Sequence, residues 1–123
     1  MADPLALIVE DDVDTAEFFA QVLTAANFET EIAYDSKTAR QQLNDSTPVL
    51  VLLDLYLPDG SGWDIVRLLR SDDRLKQARI IVATGEGSAT QGQTAELVDI
   101  VLHKPVDFDQ LHLLASRLRE TVE

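Results

Sequence analysis

At 123 residues the chain has the length of one domain, and 46% hydrophobic residues supply enough apolar material for a single packed core. The absence of cysteine excludes disulfides and thiolate metal centres and is compatible with a reducing, cytoplasmic setting. A formal charge of −12 argues against direct binding to a nucleic acid, because that affinity comes from Lys and Arg; it favours cations and partners with basic surfaces.

The start, Met1-Ala2-Asp3-Pro4, has no basic region and leads into only five consecutive apolar residues, so it reads as neither a signal peptide nor a membrane span. Those five, Leu5 to Val9, read as a buried strand that stops at Glu10-Asp11-Asp12. Asp14 and Glu17 have capping-box spacing, and Phe19, Val22, Leu23 and Ala26 recur at helical spacing behind them. Glu29 to Ala33 is a weaker strand, and Ser36 is a candidate cap for a helix with Ala39 and Leu43 inward. Val49 to Leu53 is the most hydrophobic strand and stops at Asp54. Pro58-Asp59-Gly60-Ser61-Gly62 is a turn cluster, followed by a helix marked by Ile65, Leu68 and Leu69. Ile80 to Ala83 is a fourth strand ending at Thr84-Gly85, and Val98 to Leu102 a fifth ending at His103-Lys104-Pro105. The last helix starts near Asp107, with Phe108, Leu111, Leu114, Ala115 and Leu118 inward.

Apolar strands without alternation belong to parallel sheets covered on both faces. Five of them alternating with five helix signals predict an α/β domain over residues 1–123. Its expected form is a flavodoxin-like (βα)5 doubly wound parallel sheet of strand order 2-1-3-4-5. Such sheets bind ligands at the carboxyl ends of the strands, near the switch point between strands one and three. Glu10, Asp11, Asp54, Thr84 and Lys104 all fall on that edge. Carboxylates about 4 Å apart repel by roughly 4 kcal/mol at an effective dielectric near 20. A cluster of Glu10, Asp11 and Asp54 therefore calls for a compensating cation, and all-oxygen ligation suits magnesium. Asp12 and Asp14 read instead as charges favouring a helix N-terminus. Lys104 is a candidate partner for added negative charge near Asp54, and the Thr84 hydroxyl for a phosphoryl oxygen. His103 and His112 have no partner at ligand spacing and read as surface residues; Trp63 reads as packing against the neighbouring loop.

Four segments carry a family resemblance: Ile8-Val9-Glu10-Asp11-Asp12, Leu53 through Gly62, Val82-Ala83-Thr84-Gly85 and His103-Lys104-Pro105. In that order and spacing, the chain resembles the CheY-like receiver domain of two-component response regulators. The resemblance implies that Asp54 is the phosphoacceptor. Asp11 would bind Mg2+ directly, Glu10 would act through water, and the backbone carbonyl of Tyr56 would add another oxygen. Thr84 would be the switch hydroxyl and Lys104 the contact to the phosphoryl group. It further implies a sensor histidine kinase or histidine phosphotransfer protein as donor, and a downstream effector domain or protein. No direct contact with nucleic acid or membrane is implied, and a homodimer is open. The domain would catalyse its own phosphorylation and dephosphorylation, and the mark would move the surface of the fourth helix, fifth strand and fifth helix.

Three positions depart from the family pattern. Val101 stands where the family carries an aromatic switch residue. The stretch from Thr84 to Lys104 is about two residues short and polar from Gly85 to Gln93, which predicts a short or irregular fourth helix. Tyr56 places a bulky side chain two residues after the acceptor, which predicts a long-lived phosphoryl state. The alternative is a receiver-like interaction module that signals without phosphorylation. A phosphohydrolase of the haloacid dehalogenase type would want an aspartate where Tyr56 stands, and a flavin phosphate would be repelled by Glu10-Asp11-Asp12.

Overall fold

The computed structural model describes residues 3–85 and 96–122. In chain order the elements are β1 (Leu5–Val9), α1 (Val13–Ala25), β2 (Glu29–Ala33), α2 (Ser36–Asp45), β3 (Leu50–Leu53), β4 (Tyr56–Leu57), β5 (Gly60–Ser61), α3 (Gly62–Ser71), β6 (Arg79–Thr84), β7 (Ile100–His103) and α4 (Phe108–Glu120). Five strands form one parallel sheet, ordered β2-β1-β3-β6-β7, which is the expected 2-1-3-4-5 arrangement. The fifth strand begins at Ile100, two residues later than its apolar run. Four helices lie among the described residues. The expected fourth-helix irregularity over Gly85–Gln93 falls, except for Gly85, outside them.

Side-chain alternation explains why the central strands are apolar throughout. Ala6, Ile8, Leu50, Leu52, Ile81 and Ala83 face one side, where α1 and α4 cover them with Phe19, Val22, Leu23, Leu111 and Ala115. Leu7, Val9, Val51, Leu53, Ile80 and Val82 face the other, beneath Ala39, Leu43, Ile65, Val66 and Leu69 of α2 and α3. Both faces are dry, so neither tolerates a polar residue at alternate positions. Losing one of these leucines to alanine costs about 2–5 kcal/mol.

The helix ends correct two expectations from the sequence. Asp12, not Asp14, caps α1: its carboxylate accepts the Thr15 amide at 2.9 Å and the Thr15 hydroxyl at 2.5 Å. Asp35, not Ser36, caps α2 by accepting the Thr38 amide at 2.7 Å. In both cases the extended backbone that a cap requires occurs earlier in the chain. At the far end of α1, Asn27 takes a left-handed φ of 71°. This lets the Phe28 amide donate to Leu23 O and the Asn27 amide to Thr24 O, both at 3.0 Å. Phe28 is then buried at the entry to β2.

Phe108 is a further correction. It was expected to face inward, but it is exposed at the start of α4, with its ring stacked on His112 at 5.7 Å. His112 is half-buried, and its Nε2 lies 3.3 Å from Ala25 O. His103 is exposed, as expected, and Trp63 packs against the α2–α3 side of the core. No helix among the described residues is long and apolar enough to cross a membrane.

Candidate functional site

β1 and β3 are neighbours with Val9 opposite Leu53, so the residues that follow them, Glu10 and Asp54, leave the sheet side by side. The backbone fixes both: the Asp54 amide donates to Val9 O at 2.9 Å and the Glu10 amide to Ala33 O at 3.0 Å. β6 and β7 end together, with Thr84 opposite His103 and the Lys104 amide donating to Thr84 O at 2.9 Å. This step turns Lys104 back toward the acids. Its ammonium donates to Glu10 Oε1 at 2.6 Å and to Asp54 Oδ2 at 2.9 Å.

The other carboxylate oxygens are also engaged. Glu10 Oε2 accepts the Asp12 amide at 3.2 Å, and Asp54 Oδ1 accepts the Tyr56 amide at 3.1 Å. Glu10 is 1% exposed and Asp54 7%, whereas Asp11 is exposed. Burial holds the Glu10 carboxyl above its ordinary value, against the pull of Lys104. Burial also works to lower the Lys104 ammonium, but its bonds to Asp54 and Glu10 prevail and leave it raised. Glu10, Asp11 and Asp54 each offer an oxygen within 4.8 Å of the others. Three carboxylates against one ammonium leave two negative charges, in a setting of hard oxygen donors. That donor set fits a small divalent cation.

The expected site residues Glu10, Asp11, Asp54, Thr84 and Lys104 all lie at this sheet edge. Thr84 is fully buried at the end of β6. Tyr56 begins β4 with its side chain exposed. Behind Lys104, a groove of about 510 Å³ opens between Phe18 and Phe19 of α1 and Pro105-Val106.

The family model of the response regulator receiver domain matches residues 6–116, almost all of the sheet and every residue of this site. The chain belongs to that family. Among curated relatives of this receiver domain, the response regulator protein PilR of Pseudomonas aeruginosa is 37% identical over 123 residues, covering 97% of this chain and 27% of PilR. The probable transcriptional regulatory protein SilR of Salmonella typhimurium is 39% identical over 79 residues, covering 64% of this chain and 35% of SilR. The chain thus spans about a third or less of these relatives. Among solved structures, a CheY-like receiver domain from Methylobacillus flagellatus superposes with a TM-score of 0.86 at 28% identity, covering 95% of this chain and 99% of that one.

Two features of the receiver's site escape a sequence reading. Gly62 opens α3 against the end of β3 and the residues that follow it. A Cβ there would press into the Asp54 carbonyl oxygen and stand 2.8 Å from Leu55 Cα. The second is the turn cluster after Asp54, which is a hairpin with Tyr56 opposite Ser61 and Leu57 opposite Gly60. A Gly in a turn cluster was a visible signal for the first; a two-residue strand pair is too short to show any periodicity.

Proposed function

We propose that this receiver domain takes a phosphoryl group from a phosphohistidine donor onto Asp54 in a magnesium-dependent reaction, as part of a cytoplasmic two-component phosphorelay. The observation that supports this most is the single ammonium of Lys104 bonded to both Asp54 and the buried Glu10.

Glu10, Asp11, Asp54 and the backbone carbonyl of Tyr56 would hold Mg2+. When bound, that ion supplies positive charge that offsets the acids and the oxygens of the moving group. Asp54 is the nucleophile. Its carboxylate oxygen forms a P–O bond as the P–N bond to the donor imidazole breaks, and the imidazole leaves with the electron pair. The product is an acyl phosphate, and hydrolysis by the same site returns the carboxylate. Lys104 already rests on Asp54, so its ammonium is placed to pair with a phosphoryl oxygen without a large rearrangement. Thr84 offers its hydroxyl at the adjacent strand end. Its attraction to the phosphoryl group would shift the β6 end and the neighbouring surface of β7 and α4. Val101, partly buried on the α2–α3 side of β7, stands where the family carries an aromatic switch residue, so inward rotation of such a ring is no part of the proposed movement.

The donor would be a sensor histidine kinase or histidine phosphotransfer protein, and the readout a downstream effector domain or protein. The test is intact-mass measurement after exposure to acetyl phosphate, with and without Mg2+. A gain of one phosphoryl group that needs Mg2+ and is lost in Asp54→Asn supports the reading. No gain from either acetyl phosphate or a phosphohistidine donor would favour an interaction module that works without phosphorylation.

A further inference from the structure

Asp59 stands at the tip of the hairpin after Asp54, between Leu57 of β4 and Gly60 of β5. Its carboxylate reaches out of its own turn. Oδ1 accepts the Ser36 amide at 2.7 Å and Oδ2 accepts the Lys37 amide at 3.0 Å, from 23 and 22 residues away. These are the first two amides of α2, which have no partner inside the helix. The carboxylate of the helix's own cap, Asp35, takes the next one, from Thr38. Two carboxylates therefore divide three amides, and one of the two belongs to the loop that follows the acceptor. The Ser36 and Lys37 amides hold the Asp59 carboxyl below its ordinary value, so it stays ionised.

The hairpin has a second anchor at its base, where the Gly62 amide donates to Leu55 O at 2.8 Å. Between the two anchors runs the segment carrying Tyr56, whose amide bonds Asp54 Oδ1. A hairpin with two-residue strands is only marginally stable by itself. Its geometry depends on these anchors. We infer that Asp59 is a positioning residue: by clamping the N-terminus of α2 it fixes the hairpin, and so holds the Tyr56 backbone in place beside Asp54. This inference rests on the phosphoacceptor reading and deepens it.

The alternative is that Asp59 only stabilises α2, and Asp35 is the control for it. Asp59→Ala and Asp35→Ala strip amide partners from the same helix end, but only the first frees the acceptor loop. In the full chain, Mg2+ binding is followed through the backbone amide resonances of Tyr56 and Leu57, and phosphoryl incorporation by intact mass. Asp59→Ala is expected to weaken Mg2+ binding and slow incorporation by about tenfold, the usual size of a supporting-residue effect at a metal site. Asp59→Asn, which keeps one acceptor oxygen, recovers part of both, and it carries the comparison if the alanine variant does not fold. Asp35→Ala is expected to stay close to wild type in both readouts. Equal effects from Asp59→Ala and Asp35→Ala, or wild-type Mg2+ binding in Asp59→Ala, would overturn the inference and leave the phosphoacceptor reading standing. A wild-type chain that neither binds Mg2+ nor gains a phosphoryl group would overturn both.

Discussion

Lys104 Nζ lies 2.9 Å from Asp54 Oδ2, a bond that joins the end of β7 to the end of β3 across the intervening β6. The same ammonium reaches Glu10 at the end of β1. One cation thus gathers the ends of three strands, and it is the only lysine or arginine side chain bonded to the acidic cluster among the described residues.

Lys104→Ala leaves Glu10 and Asp54 buried without their counter-charge. Truncating one member of a buried pair costs about 3–5 kcal/mol, and partial exposure of Lys104 reduces this to roughly 2 kcal/mol. Urea denaturation at neutral pH measures the loss. Saturating Mg2+ is expected to recover much of it, because the ion replaces the missing positive charge.

Asp54→Asn should act in the opposite direction. It removes one of three clustered carboxylates and weakens one of the two bonds of Lys104, which keeps Glu10 as its ionic partner, while leaving an oxygen for the Tyr56 amide. Relief of the carboxylate repulsion stabilises the fold by about 1 kcal/mol even though phosphoryl transfer is lost. Thermal melting without Mg2+ checks this, and a lower melting temperature than wild type would count against it.

Glu10 makes the response to Mg2+ depend on pH. Its carboxyl is raised in the folded state, so its contribution to stability is full below the ordinary 4.5 and is lost as pH climbs through the raised value. A divalent cation binds the charged form, so stabilisation by Mg2+ should grow across the same window. At a hundred times its dissociation constant the ion contributes about 2.7 kcal/mol. Melting curves with and without Mg2+ at pH 4, 5, 6 and 7, values chosen on the order of this window, test it; a constant increment contradicts the assignment of Glu10 to the site.

Much of this was legible in the sequence, for physical reasons that differ from element to element. β1, β3 and β6 showed as unbroken apolar runs because helices cover both their faces. Glu10, Asp54, Thr84 and Lys104 were legible as a site because each ends or directly follows a strand of the sheet, so strand order alone brings them to one edge. The caps were displaced by one or two residues, since Asp12 and Asp14, like Asp35 and Ser36, are chemically suited to the same role and backbone geometry decides between them. The Asp59 clamp had no local signal at all, because its partners lie more than twenty residues away. Phe108 matched the inward period of α4, but its place on the first turn leaves it exposed and stacked on His112.

Gly62→Ala tests how tightly the end of β3 is packed against α3. The added methyl meets backbone at Asp54 and Leu55, which cannot swing aside like the end of a flexible side chain. A loss of roughly 1–3 kcal/mol is expected, with a drop in phosphoryl incorporation as Asp54 shifts. Incorporation at the wild-type rate would show that the close approach is not needed for the site.

Tyr56 is 55% exposed two residues after Asp54, the proposed acceptor, where its side chain would obstruct water on its way to an acyl phosphate. Tyr56→Ala should shorten the phosphoryl lifetime several-fold, read by intact mass after the donor is removed. An unchanged lifetime would remove the idea.

The proposed acceptor role of Asp54 is tested by transfer from a histidine-phosphorylated phosphotransfer domain, followed by peptide mapping of the modified residue. Mg2+-dependent transfer of one phosphoryl group is expected, found on the peptide containing Asp54 and absent in Asp54→Asn. A group carried on any other residue, or none transferred with Mg2+ present, would contradict it.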